Sequence, residues 1–465
     1  MPLQFVNSSR GNKKLFENGH SYIREREVGQ KTIWKCDQYF SLFCRARVHT
    51  NTDTIVKVVG QHNHAGNIAK VEAIRAINLA KEIAISTQES THSIATNVFV
   101  GASISSVGHL PNFNQLKRTI RNKRKSQNQA PPQPFSLSEL LIPMEYHLTY
   151  SQEPFLLFDS NDRGDRILIF STQDNLTILS QANTWYADGT FKVAPPLFEQ
   201  LYTLHGVILD NVVPLVFVLM ASKSEQCYKK LFLKLKELNN SLNPSTIMTD
   251  FEKASINAFT TSFPTTEQKG CFFHFCQCIF RSIQSSGLKR QYENDIDFAL
   301  KMRMLAALAF VPPEDVVQSF EVLVANNNYL EESQIVLDYV EDNWIGRPNC
   351  HGIRRPPRFN INLWNCYEAA KECGSKTNNS CEAWHRSFNE LVGSCHPTIW
   401  KFIDTLKKEQ AKNEIIINQY LSGEEPPRQK KKYKNTALRL QRVTNNYHEC
   451  EIMDYLRGIA YNLSF

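Results

Sequence analysis

The chain has 465 residues, 42% of them hydrophobic and 21% charged, and a net charge of +7. That length exceeds what one ordinary core serves, so two or three domains are expected, and without an apolar run of about 18 residues no membrane-spanning helix is expected. The opening "MPLQFVNSSRGNKK" lacks the apolar stretch of a secretory signal, so the twelve cysteines read as reduced thiols and metal ligands rather than a disulfide framework.

Residues 1–66 read as short strands broken by the turn-forming stretches "SSRGN", "ENGH" and "VGQ". Within "WKCDQYFSLFCRARVHTNTDTIVKVVGQHNH" stand Cys36, Cys44, His62 and His64, with the alternating strand pattern "TIVKVV" between the two pairs. Only strand pairing could bring the four together, and two thiolates with two imidazoles make a tetrahedral zinc set. On spacing alone, two buried free cysteines beside two surface histidines remain the alternative.

From Ile68 the pattern turns helical: "IAKVEAIRAINLAKEIAI" places apolar residues three and four apart. This stretch (residues 67–134 with its linker) closes on "KRTIRNKRK", where Lys117, Arg118, Arg121, Lys123, Arg124 and Lys125 cluster. A second basic cluster, "RQKKKYK", lies in residues 413–465, a tail expected to be mobile after Gly423 and helical further on. Such clusters suit a polyanion or a nuclear import signal; a solvated helix face is the alternative. The polar, proline-rich "SQNQAPPQP" marks a domain boundary.

Residues 135–412 alternate strand-like and helical runs. "NTWYADGTFKVAP" is a strand carrying Asp188, and "QLYTLHGVILDNVVPLVFVLMAS" gives two apolar strands joined at "DN". "SEQCYKKLFLKLKEL" is an amphipathic helix capped by Ser222 or Ser224. "STIMTDFEKASINAF" is a short strand ending on Asp250 and followed at once by a helix, and "KGCFFHF" is one more strand candidate carrying His274. Two carboxylates converging at strand ends repel unless a divalent cation sits between them. A third acid is found in Glu382, which opens a helix after a mainly helical interval, about residues 289–375. Each acid alone is as readily a helix cap; the strand order raises the functional reading. Cys276 and Cys278 fall on a helix and would not converge with Cys271 and His274 into a second zinc site. Cys373, Cys381 and Cys395 lack ligand spacing and read as buried thiols.

Residues 3–66 resemble the FLYWCH-type zinc finger through "GHSYIRER", "TIWKC", "CRARVHT" and "HNH". Residues 180–395 resemble the Mutator-like (MULE) transposase domain through "ADGTFKVAPPLFEQLYTLHGV", "MTDFEKASINAF", "GCFFHFCQCIFR" and "TNNSCEAWHRSFN". The first resemblance implies a small antiparallel sheet clamped by Zn2+ through Cys36, Cys44, His62 and His64, with Trp34 packed beneath. Arg45, Arg47 and Lys57 then face outward as DNA phosphate contacts, although a protein partner for the finger stays open. The second implies an α/β ribonuclease-H-like fold with a helical insertion. Its catalytic triad would be Asp188, Asp250 and Glu382, holding Mg2+ or Mn2+, with a Cys-x-x-His motif at Cys271 and His274. His274 would bond an acid or the scissile phosphate, or be structural. Many relatives carry a further Cys-x-Cys…Cys-x-His finger near the C-terminus, where this chain has Cys450 alone. The implied function is a nuclear transposase that binds, cuts and joins DNA, with a homodimer open; the alternative is a domesticated DNA-binding regulator or adaptor without turnover.

Overall fold

A computed structural model describes residues 4–7, 13–51, 54–87, 89–127, 131–209, 211–327, 329–424 and 431–463. The whole "SSRGN" turn, the middle of the proline-rich linker, Asp210 of the "DN" turn and the first residues of the second basic cluster lie outside the described residues. The chain divides into two compact units, Met1–Pro131 and Pro132–Phe465, so the boundary falls within the proline-rich segment.

The first unit opens with strands β1 (Gln4–Asn7), β2 (Lys13–Glu17), β3 (His20–Val28), β4 (Lys31–Cys36), β5 (Arg47–Asn51) and β6 (Thr54–Val59). Among the described residues they form one antiparallel sheet in sequential order. Alternation assigns the faces: Leu15, Tyr22, Trp34, Cys36, Ala46 and Val48 share one small cluster with Cys44. Trp34 is buried there and donates from its indole nitrogen to Thr50 Oγ1 at 2.9 Å. Helices α1 (Ile68–Ser86), α2 (Thr91–Gly101), α3 (Ile104–Val107) and α4 (Phe113–Gln127) follow. They bury Ala80, Ala84, Ile94, Ala95, Leu116 and Ile120 together. Asn67 and Ser90 cap α1 and α2 by accepting from the amides of Lys70 and Ser93.

The second unit holds a mixed sheet of β7 (Leu156–Asp159), β8 (Ile167–Phe170), β9 (Thr184–Thr190), β10 (Gln200–Ile208), β11 (Asn211–Met220), β12 (Thr246–Thr249) and β13 (Glu267–Gly270). Their order is β13-β12-β9-β10-β11-β8-β7. β12 runs parallel to β9 and β13, and the remaining pairs are antiparallel. Both faces are covered, which is why "PLVFVLM" is apolar without alternation. Val216, Val218 and Met220 enter the core on one face and Phe217 and Leu219 the core on the other. α5 (Gln173–Gln181), α6 (Glu225–Leu238) and α7 (Lys253–Ser262) contribute to the first of these cores. α6 is capped by Ser224, which accepts from the Cys227 amide.

α8 (Phe272–Ser285) follows β13 directly. "KGCFFHF" is therefore strand only as far as Gly270, and His274 lies on a helix, contrary to the strand expectation. Phe272, Phe275, Cys276 and Ile279 are buried at helical spacing, a period that the aromatic run masks over so few residues. The interval before Glu382 carries α9 (Lys289–Asn294), α10 (Ile296–Ala307), α11 (Val316–Asn326), α12 (Gln334–Val340), α13 (Ile361–Trp364) and α14 (Tyr367–Lys371). α15 (Asn379–Val392) and α16 (Ile399–Leu421) then return to the sheet, where α16 lays Trp400, Phe402, Ile403 and Leu406 into the second core.

Residues 431–463 do not form a separate tail. α17 (Lys431–Asn445) and α18 (Ile452–Ala460) place Leu440, Tyr455, Leu456 and Ile459 in the core of the helical insertion. Among the described residues, no helix is long and apolar enough to cross a membrane.

Candidate metal and catalytic centres

In the first unit the strands bring Cys36, Cys44, His62 and His64 together, with one ligand atom of each within 4.8 Å of the others. Cys36 ends β4, Cys44 precedes β5, and the two histidines follow β6. Cys36 Sγ lies 3.2 Å from His64 Nε2, and Cys44 Sγ lies 3.3 Å from His62 Nδ1. The outward nitrogens are held as well. His62 Nε2 is 2.8 Å from the Tyr22 hydroxyl, and His64 Nδ1 is 3.1 Å from the Ala65 carbonyl. Partners of this kind select the tautomer that turns the other nitrogen toward a metal. The His20 ring stacks on His62 at 3.6 Å. Burial, followed by the charges of His20 and His64, pushes His62 down to about 4, so it is neutral and ready to ligate at neutral pH. Burial pushes the Cys36 thiol up to about 11, so metal binding there must displace a proton.

The cationic residues differ in their freedom. Arg45 and Lys57 are exposed, whereas Arg47 forms a two-point pair with Glu25 at 2.7 and 3.0 Å. On α4, Arg118 and Arg121 are exposed, while Lys117 sits over the Phe113 ring and Lys123 is half-buried. Arg124 turns inward: it donates to the carbonyls of Ala84, Thr87 and Glu89, closing the end of α1. The expectation that it contacts phosphate conflicts with that structural use. The Lys125 side chain lies outside the described residues.

In the second unit the acids gather at one end of β9 and β12. Asp188 sits in β9 with only 7% of its surface exposed. The parallel register aligns Met248 with Tyr186, which carries Asp250, just past β12, to the level of Asp188. Glu382 stands in the first turn of α15, a helix that ends on Gly393 in the left-handed conformation. Burial, then the charge of Asp250, pushes Asp188 up to about 8, with Glu382 adding to the rise. Burial and Glu252 push Asp250 up to about 6, and burial raises Glu382. Such crowding of buried carboxylates is what a divalent cation relieves. Among the described residues, however, the finger set alone has three or more ligand atoms drawn within 4.8 Å.

The Cys-x-x-His pair ties α8 to the helix bearing the third acid. Cys271 Sγ accepts from the backbone amide of Asn378, at the start of α15, and His274 Nε2 lies 3.3 Å from Glu382 Oε1. Burial pushes His274 down to about 4, so it is neutral here. Cys276 and Cys278 ride on α8, and no second zinc set forms among the described residues. Cys381 is buried beside Tyr186, Met248 and Cys271, as expected. Cys373 and Cys395 are exposed, which corrects their reading as buried thiols: Cys373 lies in the turn after α14 and Cys395 in the loop between α15 and α16.

Two further residues join the site without having been singled out from the sequence. His385, one turn after Glu382, lies 3.5 Å from Asp188 Oδ2, and its i, i+3 spacing from Glu382 was the available signal. Lys223 bonds Glu252 at 2.9 Å and its charge favours ionised Asp188 and Asp250.

A stability prediction follows from the raised acid. In the folded state Asp188 holds its proton up to about pH 8, against an ordinary aspartate value near 3.8. Between those values the folded chain binds more protons than the unfolded one, so its stability falls as pH rises. Asp188→Asn should stabilise chelator-treated protein at pH 8 by on the order of 1–3 kcal/mol and leave it nearly unchanged at pH 4. Urea unfolding at the two pH values measures this.

Residues 5–64 match the FLYWCH zinc finger domain, and residues 184–278 match the MULE transposase domain. Glu382 lies beyond the second match. Over 74 residues the chain is 34% identical to "FLYWCH-type zinc finger-containing protein 1" of Homo sapiens and 32% identical to the Mus musculus protein of that name. Each alignment covers 16% of this chain and 10% or 11% of the relative, so the chain spans about a tenth of the length of the curated relatives it matches. The two domain matches support a transposase-like DNA-binding protein, and a Cys2His2 cluster inside a zinc finger domain supports Zn2+.

Proposed function

We propose that this chain is a nuclear transposase of the Mutator-like type, in which the finger and α4 hold DNA and the second unit cuts and joins strands. What supports the reading is the common level of Asp188 and Asp250 on β9 and just past β12, with Glu382 near enough for its charge to add to the rise of Asp188. The strand order β13-β12-β9-β10-β11, with β12 and β13 parallel to β9, supports a ribonuclease-H-like fold.

The three acids fit Mg2+ or Mn2+ in chemistry: all offer hard oxygen donors, and Asp188 and Asp250 are buried carboxyls that neighbouring acids push further up. When bound, such ions activate water and stabilise the leaving oxygen of a phosphodiester. The surrounding side chains act on the acids themselves. His385 orients Asp188, His274 orients Glu382, and Lys223 offers positive charge where a phosphate would arrive.

The test is nicking of DNA carrying the inverted repeats that flank the coding sequence, with Mg2+ or Mn2+ and with chelator. Cation-dependent nicks support the transposase. Binding without nicks on any end sequence supports the domesticated regulator instead.

DNA binding by the first unit should be strongly salt-dependent. Neutralising Arg118 and Arg121 together should flatten the plot of log affinity against log salt by about 0.9 for each phosphate that is no longer neutralised. Titration by fluorescence anisotropy measures the slope, and an unchanged slope assigns this face of α4 to solvent or to nuclear import.

A further inference from the structure

Between Cys36 and Cys44 the finger carries the loop "DQYFSLF", and its apolar side chains point away from the core. Phe40 is 70% exposed and Phe43 80%, with Leu42 beside them. The loop is nevertheless held firmly. Tyr39 donates its amide to the Cys36 carbonyl at 3.0 Å and Leu42 to the Gln38 carbonyl at 2.9 Å, while Asn63 donates to the Leu42 carbonyl at 2.8 Å. Both ends are members of the metal set. Phe43 adopts a left-handed backbone conformation, φ +51°, which is strained for a bulky residue. A solvated loop has no reason to hold a phenylalanine in that conformation with its ring in water.

Cations line the same surface. Lys35 Nζ stands 5.0 Å from the Tyr39 ring centre and 4.7 Å from that of Phe40, and the Arg47 guanidinium, already paired with Glu25, stands 5.7 Å from Tyr39. Arg45 is exposed next to Cys44. Flat apolar rings beside fixed positive charge match a ligand with flat apolar faces and negative charge, which is unpaired nucleic acid. Fully paired duplex hides its base faces and offers edges, where a phenylalanine ring meets only the thymine methyl; its flat face is used fully only when a base step is unstacked.

We infer that the Tyr39–Phe43 loop is a stacking platform for unpaired or unstacked bases, so that the finger prefers distorted DNA over intact duplex. This rests on the DNA-binding reading above and adds the structural state of the DNA. Base stacking on exposed rings needs no base-specific hydrogen bond, so the preference follows DNA structure and tolerates sequence change.

The test uses the full zinc-loaded chain in chelator-free buffer without divalent salts. Two fluorescent duplexes of one sequence are compared, one fully paired and one with a central two-base mismatch bubble carrying 2-aminopurine. Wild type should bind the bubble more tightly and quench the 2-aminopurine. Phe40→Ala/Phe43→Ala should lose about 10- to 100-fold in affinity for the bubble and under about twofold for the paired duplex. Its zinc content and circular dichroism should match wild type, and Phe40→Tyr/Phe43→Tyr should keep the preference. Equal wild-type binding to both duplexes, or equal losses on both in the alanine variant, overturns the platform while leaving DNA binding intact. Absence of wild-type binding to either duplex overturns both readings.

Discussion

Asp188→Asn, Asp250→Asn and Glu382→Gln are each expected to lower cation-dependent DNA nicking by on the order of 10²–10³-fold, with DNA binding preserved. The substitutions keep side-chain shape and remove one negative oxygen donor, so any loss belongs to charge and ligation rather than to packing. Asp188 should be the most sensitive, because it is the most buried of the three and its carboxyl faces both partners electrostatically. A glutamine at 382 keeps an oxygen that can accept from neutral His274, 3.3 Å away, so the change there is one of charge. Glu390 supplies the control. It shares α15 but is exposed and points elsewhere, so Glu390→Gln should cut normally. Normal cutting by Glu382→Gln with loss in Glu390→Gln would move the third ligand along the helix. Single-turnover nicking on end-labelled DNA, with binding measured in parallel by anisotropy, separates these outcomes.

The order of elements around Asp188 was readable because each has a strong local cause. β10 and β11 are long apolar runs flanking a turn, α6 has a serine cap and a clear amphipathic stripe, and β12 gives way to α7 directly after Asp250. α8 was misread because its first turn is "FFHF", where three phenylalanines in four residues fit a buried strand as well as a helix. The fate of residues 431–463 was hidden for another reason. The apolar face of α18 is plain in "IMDYLRGIA", but its docking against α10 depends on a partner more than a hundred residues away. Long-range packing of that kind leaves no trace in local patterning. His385 was legible in principle, one turn from Glu382, yet a histidine on a helix means little until Asp188 is found 3.5 Å from it. For the finger, the donor types and order announced the metal set, but the supporting Tyr22 and His20 came into view only through the strand register that aligns Tyr22 with Cys36.

Removal of zinc should unfold the finger while the second unit keeps its own transition. The sheet's apolar core consists of a handful of side chains around Trp34, and two of its members, Cys36 and Cys44, are themselves ligands. So small a core cannot offset the conformational entropy of six ordered strands. The missing free energy is on the order of 10 kcal/mol, the range supplied by a structural zinc ion. One Zn2+ per chain should be found by mass spectrometry, and Cys36→Ser or His64→Ala should abolish it. Chelation should then open residues 13–64 to hydrogen exchange and proteolysis, with the protection of β9 to β13 unchanged. Acid should act in the same direction. A thiol must lose its proton to ligate, and burial pushes Cys36 up to about 11, so protons compete with zinc there. Zinc affinity should therefore fall as pH drops, by about one decade per pH unit for the proton that Cys36 takes up, with His62 adding its own near pH 4. A finger that stays protected and metal-free after chelation would show that strand pairing alone holds this sheet, with the four donors left as bystanders.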